Sequence, residues 1–131
     1  MKSVRAYRLV KKKWRVQAFD GEGARLYGGR WNSSGKPCVY LASSESLAML
    51  EIMVHLDDYS LLQYYALVEV QLPTEVIQYL PFSQLPDDWR GEPAPASTAD
   101  IGDSWLEEGW SLALAVPSVV VPRELNYLVN P

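Results

Sequence analysis

The sequence predicts an α+β domain, a compact mixed sheet core with two or three helices. Three observations carry that expectation. Tyr64 to Leu72 alternates with period two, setting Ala66, Val68, Val70 and Leu72 on one face and Tyr65, Leu67, Glu69 and Gln71 on the other. Val4–Val10 and Val39–Ala42 are short apolar runs of strand length. Ser44–Leu56 and Ser97–Glu108 are long enough for helices. With 131 residues, 48% of them hydrophobic, the chain is expected to fold as one domain over residues 1–131.

In chain order, Val4–Val10 reads as a first strand, and Lys11-Lys12-Lys13 with Arg15 as the solvated turn after it. Phe19 to Lys36 holds five glycines, at 21, 23, 28, 29 and 35, and reads as a loop whose backbone can approach a ligand closely. Val39–Ala42 fits a buried strand. Ser43 and Ser44 are good helix caps for Ser44–Leu56, and the nearly continuous apolar content there predicts a largely enclosed helix. After the alternating strand, Val76–Leu80 reads as another short strand and Pro81 to Pro95 as an irregular surface loop. Ser97–Glu108 has a weak helical pattern, broken by Gly102 and closed by Gly109. Ser111–Val121 reads as a strand region whose Pro117 implies an edge position or a bulge.

Composition excludes several classes. A net charge of -4 argues against a nucleic-acid binder, which needs a broad basic surface. One cysteine, Cys38, forms no internal disulfide, and nothing pairs it with His or Cys at metal-ligand spacing, so no metal site is expected. The charged N-terminus lacks the apolar stretch of a signal peptide, and no run nears the roughly 18 apolar residues of a membrane span. The expectation is a cytoplasmic protein that touches no membrane.

The most informative residues are Gly28-Gly29-Arg30-Trp31-Asn32, then Val39-Tyr40-Leu41-Ala42, then Leu47-Ala48-Met49-Leu50-Glu51. Tyr7-Arg8 precedes them; Val116-Pro117-Ser118-Val119-Val120-Val121-Pro122 and Asn126-Tyr127-Leu128-Val129-Asn130-Pro131 follow. This ordered set resembles the RES-domain toxin family. The resemblance implies an ADP-ribosyltransferase-like fold, cleavage of NAD+ at the nicotinamide–ribose bond with water or phosphate as acceptor, and silencing by an Xre-type antitoxin. It also implies a homodimer and no cofactor beyond NAD+ as substrate, with phosphate as the alternative co-substrate. Family members usually continue past the NYLxNP element with another acidic and aromatic segment, which a chain stopping at Pro131 lacks.

Residue chemistry supports specific roles. A planar guanidinium suits a pyrophosphate, so Arg30 in its glycine-flanked turn is the expected anion holder, and the resemblance adds Arg8. The Tyr40 ring can wall a flat ligand. Glu51 stands alone among apolar residues, so it must find a partner, reach solvent or face a pocket. Losing nicotinamide leaves positive charge on the ribose, which a fixed carboxylate stabilises. Read alone, Arg30 fits a surface turn arginine and Tyr40 a core tyrosine; with the resemblance counted, Arg30, Tyr40 and Glu51 are the expected catalytic residues. The resemblance places Ser118 as a hydrogen-bond partner of the ligand, and Tyr27 and Asn32 flank the arginine turn as further contacts. His55, the only histidine, is assigned to a helix end.

Two other functions remain open. ADP-ribose could pass to a macromolecule, although the second acidic residue that such transferases often carry two positions before the glutamate is Met49 here. A non-catalytic interaction module retaining the fold is the other.

Overall fold

The computed structural model describes residues 2–131. Six strands form one sheet: β1 (Ser3–Lys11), β2 (Val39–Ala42), β3 (Tyr65–Pro73), β4 (Ile77–Tyr79), β5 (Ala113–Pro117) and β6 (Leu125–Val129). Three α-helices accompany it: α1 (Glu22–Tyr27), α2 (Glu45–Met53) and α3 (Ala96–Glu108). The strand order is β3-β1-β2-β6-β5-β4, antiparallel throughout except for the parallel β4–β5 pair. The α+β class predicted from the pattern is the class observed.

The longest ladder joins β1 and β3 from Ser3↔Pro73 to Lys11↔Tyr65, and the period-two burial of β3 follows the predicted faces. The sheet is strongly curled, and chain length shows why. A link of only three residues, Thr74–Val76, carries the chain from edge strand β3 to the opposite edge strand β4. Such a link spans at most about 14 Å. Six flat strands would hold the edges about 24 Å apart. The edges must therefore approach each other, and Leu72 of β3 and Ile77 of β4 indeed share one buried cluster with Ala6, Val39, Ala113 and Tyr127. The alanines leave room for that curvature. The other face packs Leu114, Val116 and Leu128 against Trp31 and Trp105.

Several expectations need correction. The glycine-rich segment is not all loop, since α1 forms within it, opened by Gly21 at φ 72° and closed by Gly28 at φ 73°. Gly102 does not break α3. Its missing side chain is a packing requirement, because a Cβ there would lie 1.6 Å from the Trp31 carbonyl oxygen. Nor is α2 enclosed: only Leu47 and Ala48 are buried, and Met49 and Leu50 are 37% and 40% exposed. A helix lying on one side of a sheet buries one stripe, whatever its outer residues. Ser44 does cap it, accepting from the Leu47 N–H at 3.0 Å.

β5 is an interior strand, paired on both sides, so Pro117 marks neither an edge strand nor a break within it. The Ser118 N–H donates toward β6, to Glu124 O, which turns the Pro117 nitrogen to the other side. There the β4 ladder has already ended, at Tyr79↔Ala115. No backbone donor is missed. β6 itself was not anticipated as a strand. Of the lysine run, Lys11 ends β1 and Lys12 and Lys13 lie on an exposed 3-10 turn, Lys12–Gln17. No helix of the described residues is long and apolar enough to cross a membrane.

Candidate active site

The Gly28–Asn32 turn is built around one tyrosine. Tyr40 rises from β2 and its hydroxyl donates to Asn32 Oδ1 at 2.7 Å while accepting the Trp31 N–H at 2.9 Å. Gly29 makes this possible, since a Cβ there would sit 2.6 Å from the Tyr40 hydroxyl oxygen. The Asn32 amide donates to Ala24 O at 2.9 Å and Lys36 O at 3.0 Å, tying the turn to α1. From α3, the Thr98 hydroxyl donates to Arg30 O at 2.6 Å and the Asp103 carboxylate accepts from Ser33. The turn is thus fixed from both sides.

Above it opens a cleft of about 960 Å³, lined by Arg8, Arg30, Tyr40, Glu51, Arg90 and Asn126 among others. That volume sits at the upper end of the range for small-molecule sites, about 300–1,000 Å³. Glu51 enters from α2. Its Oε2 accepts from Ser118 Oγ and its Oε1 from Asn126 Nδ2, each at 3.0 Å. Burial pushes its pKa up, and those two hydrogen bonds oppose the rise. No cation pairs with it among the described residues, so the carboxylate is held by neutral donors alone.

Arg8 enters from β1, donating through Nη1 to Tyr40 O at 3.0 Å, with Nε buried and unpartnered. Burial lowers its pKa, with nearby Asp20 opposing. It stays a cation, since arginine starts from so high a value. Tyr40 and Cys38 also line the cleft. Burial pushes the tyrosine hydroxyl well above its usual range and the Cys38 thiol up to about 12. At neutral pH both are therefore protonated, and neither is a ready base or nucleophile.

The predicted residues fall into two groups. Arg8, Tyr27, Arg30, Tyr40 and Glu51 all line this one cleft, with Tyr27 85% exposed at its mouth. The Arg30 guanidinium is nevertheless occupied, donating to Trp89 O at 3.0 Å, Gly91 O at 2.8 Å and Glu92 Oε1 at 2.5 Å. It straps the 89–92 segment to the turn. Tyr40 contributes its ring, while its hydroxyl is spent on the turn. Two readings change. Asn32 is buried at 1% exposure with its amide fully engaged inside the turn, so it braces the turn and does not line the cleft. Ser118 is fully buried, giving its proton to Glu51 and accepting from Val120 N and Val121 N, so its hydroxyl is spent on the carboxylate and does not line the cleft.

Sequence reasoning missed Asn126 and Arg90. Asn126 lies 75 positions from Glu51 along the chain, so no spacing within its motif marks it as the member that meets the carboxylate. Arg90 lies in the proline-rich stretch that reads from sequence as surface loop, yet Arg90, Glu92 and Ala94 of that stretch line the cleft. A second groove of about 490 Å³, between Lys11–Lys13 and Leu56, Leu61 and Tyr64, holds no carboxylate or histidine. Among the described residues no group of three or more His, Cys, Asp or Glu could hold a metal ion.

The chain is 47% identical over 125 residues to a Yersinia enterocolitica protein named Toxin Res, an alignment covering 95% of this chain and 82% of that protein. It is 42% identical over 115 residues to a Sphingobium protein named Prs ADP-ribosylating toxin, covering 86% and 71% respectively. Among solved structures it resembles a chain of the M. tuberculosis MbcT–MbcA toxin–antitoxin complex, with a TM-score of 0.79 over 98% of this chain and 74% of that one. At 22% identity that likeness concerns the fold. The RES domain model matches residues 5–131, nearly the full length, and the chain belongs to the RES domain family.

Proposed function

We propose that this protein is the toxin of a toxin–antitoxin pair and that it cleaves the nicotinamide–ribose bond of NAD+ in the cleft between α2 and the Gly28–Asn32 turn. One observation carries the reading: a carboxylate with no cationic partner, held by Ser118 and Asn126, lies in a dinucleotide-sized cleft that also presents Arg8. When the C1′–N bond breaks, its electron pair leaves with nicotinamide, whose ring is neutral on departure. The ribose is left as an oxocarbenium-like cation, and Glu51 stabilises it in an environment of low dielectric. Water then adds at that anomeric carbon and loses a proton, giving ADP-ribose; phosphate adding instead gives ADP-ribose 1″-phosphate, with the ADP group still attached.

Arg8 supplies positive charge toward the phosphates, and the Tyr40 ring forms a wall for a flat base. Transfer of ADP-ribose to a macromolecule shares the same first step, and the name of the Sphingobium relative favours that second reading. Met49, two residues before Glu51, offers no second carboxylate and points outward. An Xre-type antitoxin covering the cleft, and self-association of the toxin, complete the proposal; the resemblance to a chain of a toxin–antitoxin complex supports a protein partner.

Purified protein mixed with NAD+ tests this directly, following free nicotinamide with and without phosphate. Release without labelled protein supports hydrolysis or phosphorolysis, and a labelled acceptor supports transfer. No release at all defeats the enzymatic reading. Glu51→Gln is expected to lower release by at least about 100-fold, as loss of a principal charge-stabilising group does, with the fold retained by circular dichroism. A fully active Glu51→Gln protein refutes the assigned chemistry.

A further inference from the structure

We propose that Asn126 is a positioning residue: from the centre of the sheet it fixes the Glu51 carboxylate in the cleft, working as one clamp with Ser118. The inference rests on the function proposed above, and deepens it. Asn126 stands on β6, between Ala42 of β2 and Val116 of β5, so its backbone is held by ladders on both sides. Its Nδ2 donates to Glu51 Oε1 at 3.0 Å and to Leu41 O at 3.3 Å. The Leu41 carbonyl can only accept. An amide turned the other way would set its oxygen against two acceptors, so chemistry fixes which end faces Glu51.

Ser118 approaches the other carboxylate oxygen under an equal constraint. Its hydroxyl oxygen already accepts from Val120 N at 3.1 Å and Val121 N at 3.2 Å, which leaves its single proton for Glu51 Oε2 at 3.0 Å. Each carboxylate oxygen therefore meets one neutral donor whose orientation is set elsewhere in the fold. Two such donors favour the charged form of Glu51 without neutralising it, as a salt bridge would. The titratable groups around the carboxylate are Glu124, which opposes its ionisation, and Arg8, Arg30, Arg90, Glu92 and His55, which share the cleft. Asn126 and Ser118 counter both burial and Glu124.

The test compares wild type, Asn126→Ala, Asn126→Asp and Ser118→Ala in the nicotinamide-release assay across pH, with thermal unfolding of each. Asn126→Ala is expected to lower kcat by about 10- to 100-fold with a much smaller change in KM, the range seen when a group that orients a functional side chain is removed. The acidic limb of the kcat profile should move up by about one pH unit, because the ionised form has lost a hydrogen bond. Asn126→Asp should move it further, having the same shape but no donor and a like charge. Ser118→Ala should move it in the same direction. An unmoved limb in Asn126→Ala, with only a lower Tm, overturns the inference and leaves Asn126 a structural residue. Should wild type release no nicotinamide, the proposed function fails by itself. The Glu51 carboxyl titration, followed by carbon-13 NMR, still decides the clamp: an upward shift in Asn126→Ala supports it and an unchanged titration refutes it.

Discussion

At the scale of single residues, Glu51 sets function against stability. Burial raises its pKa above the ordinary carboxylate value of 4.5, so the folded protein holds that proton more tightly than the unfolded chain does. The sign follows. The stability this proton contributes is fully present below the unfolded value and is lost as pH rises through the raised folded value, so at neutral pH the ionised carboxylate is a net cost. Replacing it by glutamine removes that slope. The difference in Tm between Glu51→Gln and wild type should therefore grow in favour of the variant as pH rises from about 4.5 toward neutral, measured by calorimetry in matched buffers. A constant difference across that range would show that Glu51 titrates as it does in the unfolded chain. Sequence marked this residue because a carboxylate among seven apolar neighbours is physically conspicuous. It could not mark the partners, since Ser118 and Asn126 lie 67 and 75 positions away along the chain.

Secondary elements show where sequence pattern suffices and where it does not. β3 was legible because one of its faces is buried and the other is open, which leaves alternation in the sequence. β6 left no such mark: Tyr127 and Leu128 are both buried, one on each face of the sheet, and adjacent apolar residues carry no period. The apolar richness of α2 suggested enclosure for the same lack of period, yet its outer side is open. α3 was misjudged at Gly102 because glycine weakens an isolated helix, whereas here it admits the Trp31 carbonyl. Gly102→Ala should accordingly cost about 3 kcal/mol or more, since a Cβ 1.6 Å from an oxygen forces α3 off the arginine turn. Gly23→Ala is the matched control. A Cβ at Gly23 meets nothing within 4 Å, and the substitution should stabilise α1 by about 0.5–1 kcal/mol. Urea unfolding of the two variants checks both signs.

For the molecule as a whole, the candidate site and the sheet are one structure. Arg8, Tyr40 and Asn126 stand on adjacent strands β1, β2 and β6, Ser118 follows β5 directly, and α2 brings Glu51 over them. Arg8 and Tyr40 are held through β1 and β2, whereas the Asn126 and Ser118 side of the site depends on β6, which lies between β2 and β5 in the sheet. Leu128 is the residue through which that dependence can be measured. It is fully buried, paired to Tyr40 on one side and Leu114 on the other, in the cluster that includes Trp31. Leu128→Ala should lower stability by about 2–5 kcal/mol, read as a fall in the urea midpoint at unchanged m-value. Val16→Ala, at a position 95% exposed, should stay within about 0.5 kcal/mol of wild type. Because α2 and the arginine turn both pack on the sheet that carries Arg8, Tyr40 and Asn126, nicotinamide release in Leu128→Ala should disappear along the same urea curve as tryptophan fluorescence, both shifted equally from wild type. Activity lost well before the fluorescence transition would mean that the Glu51 clamp opens independently of the central strands.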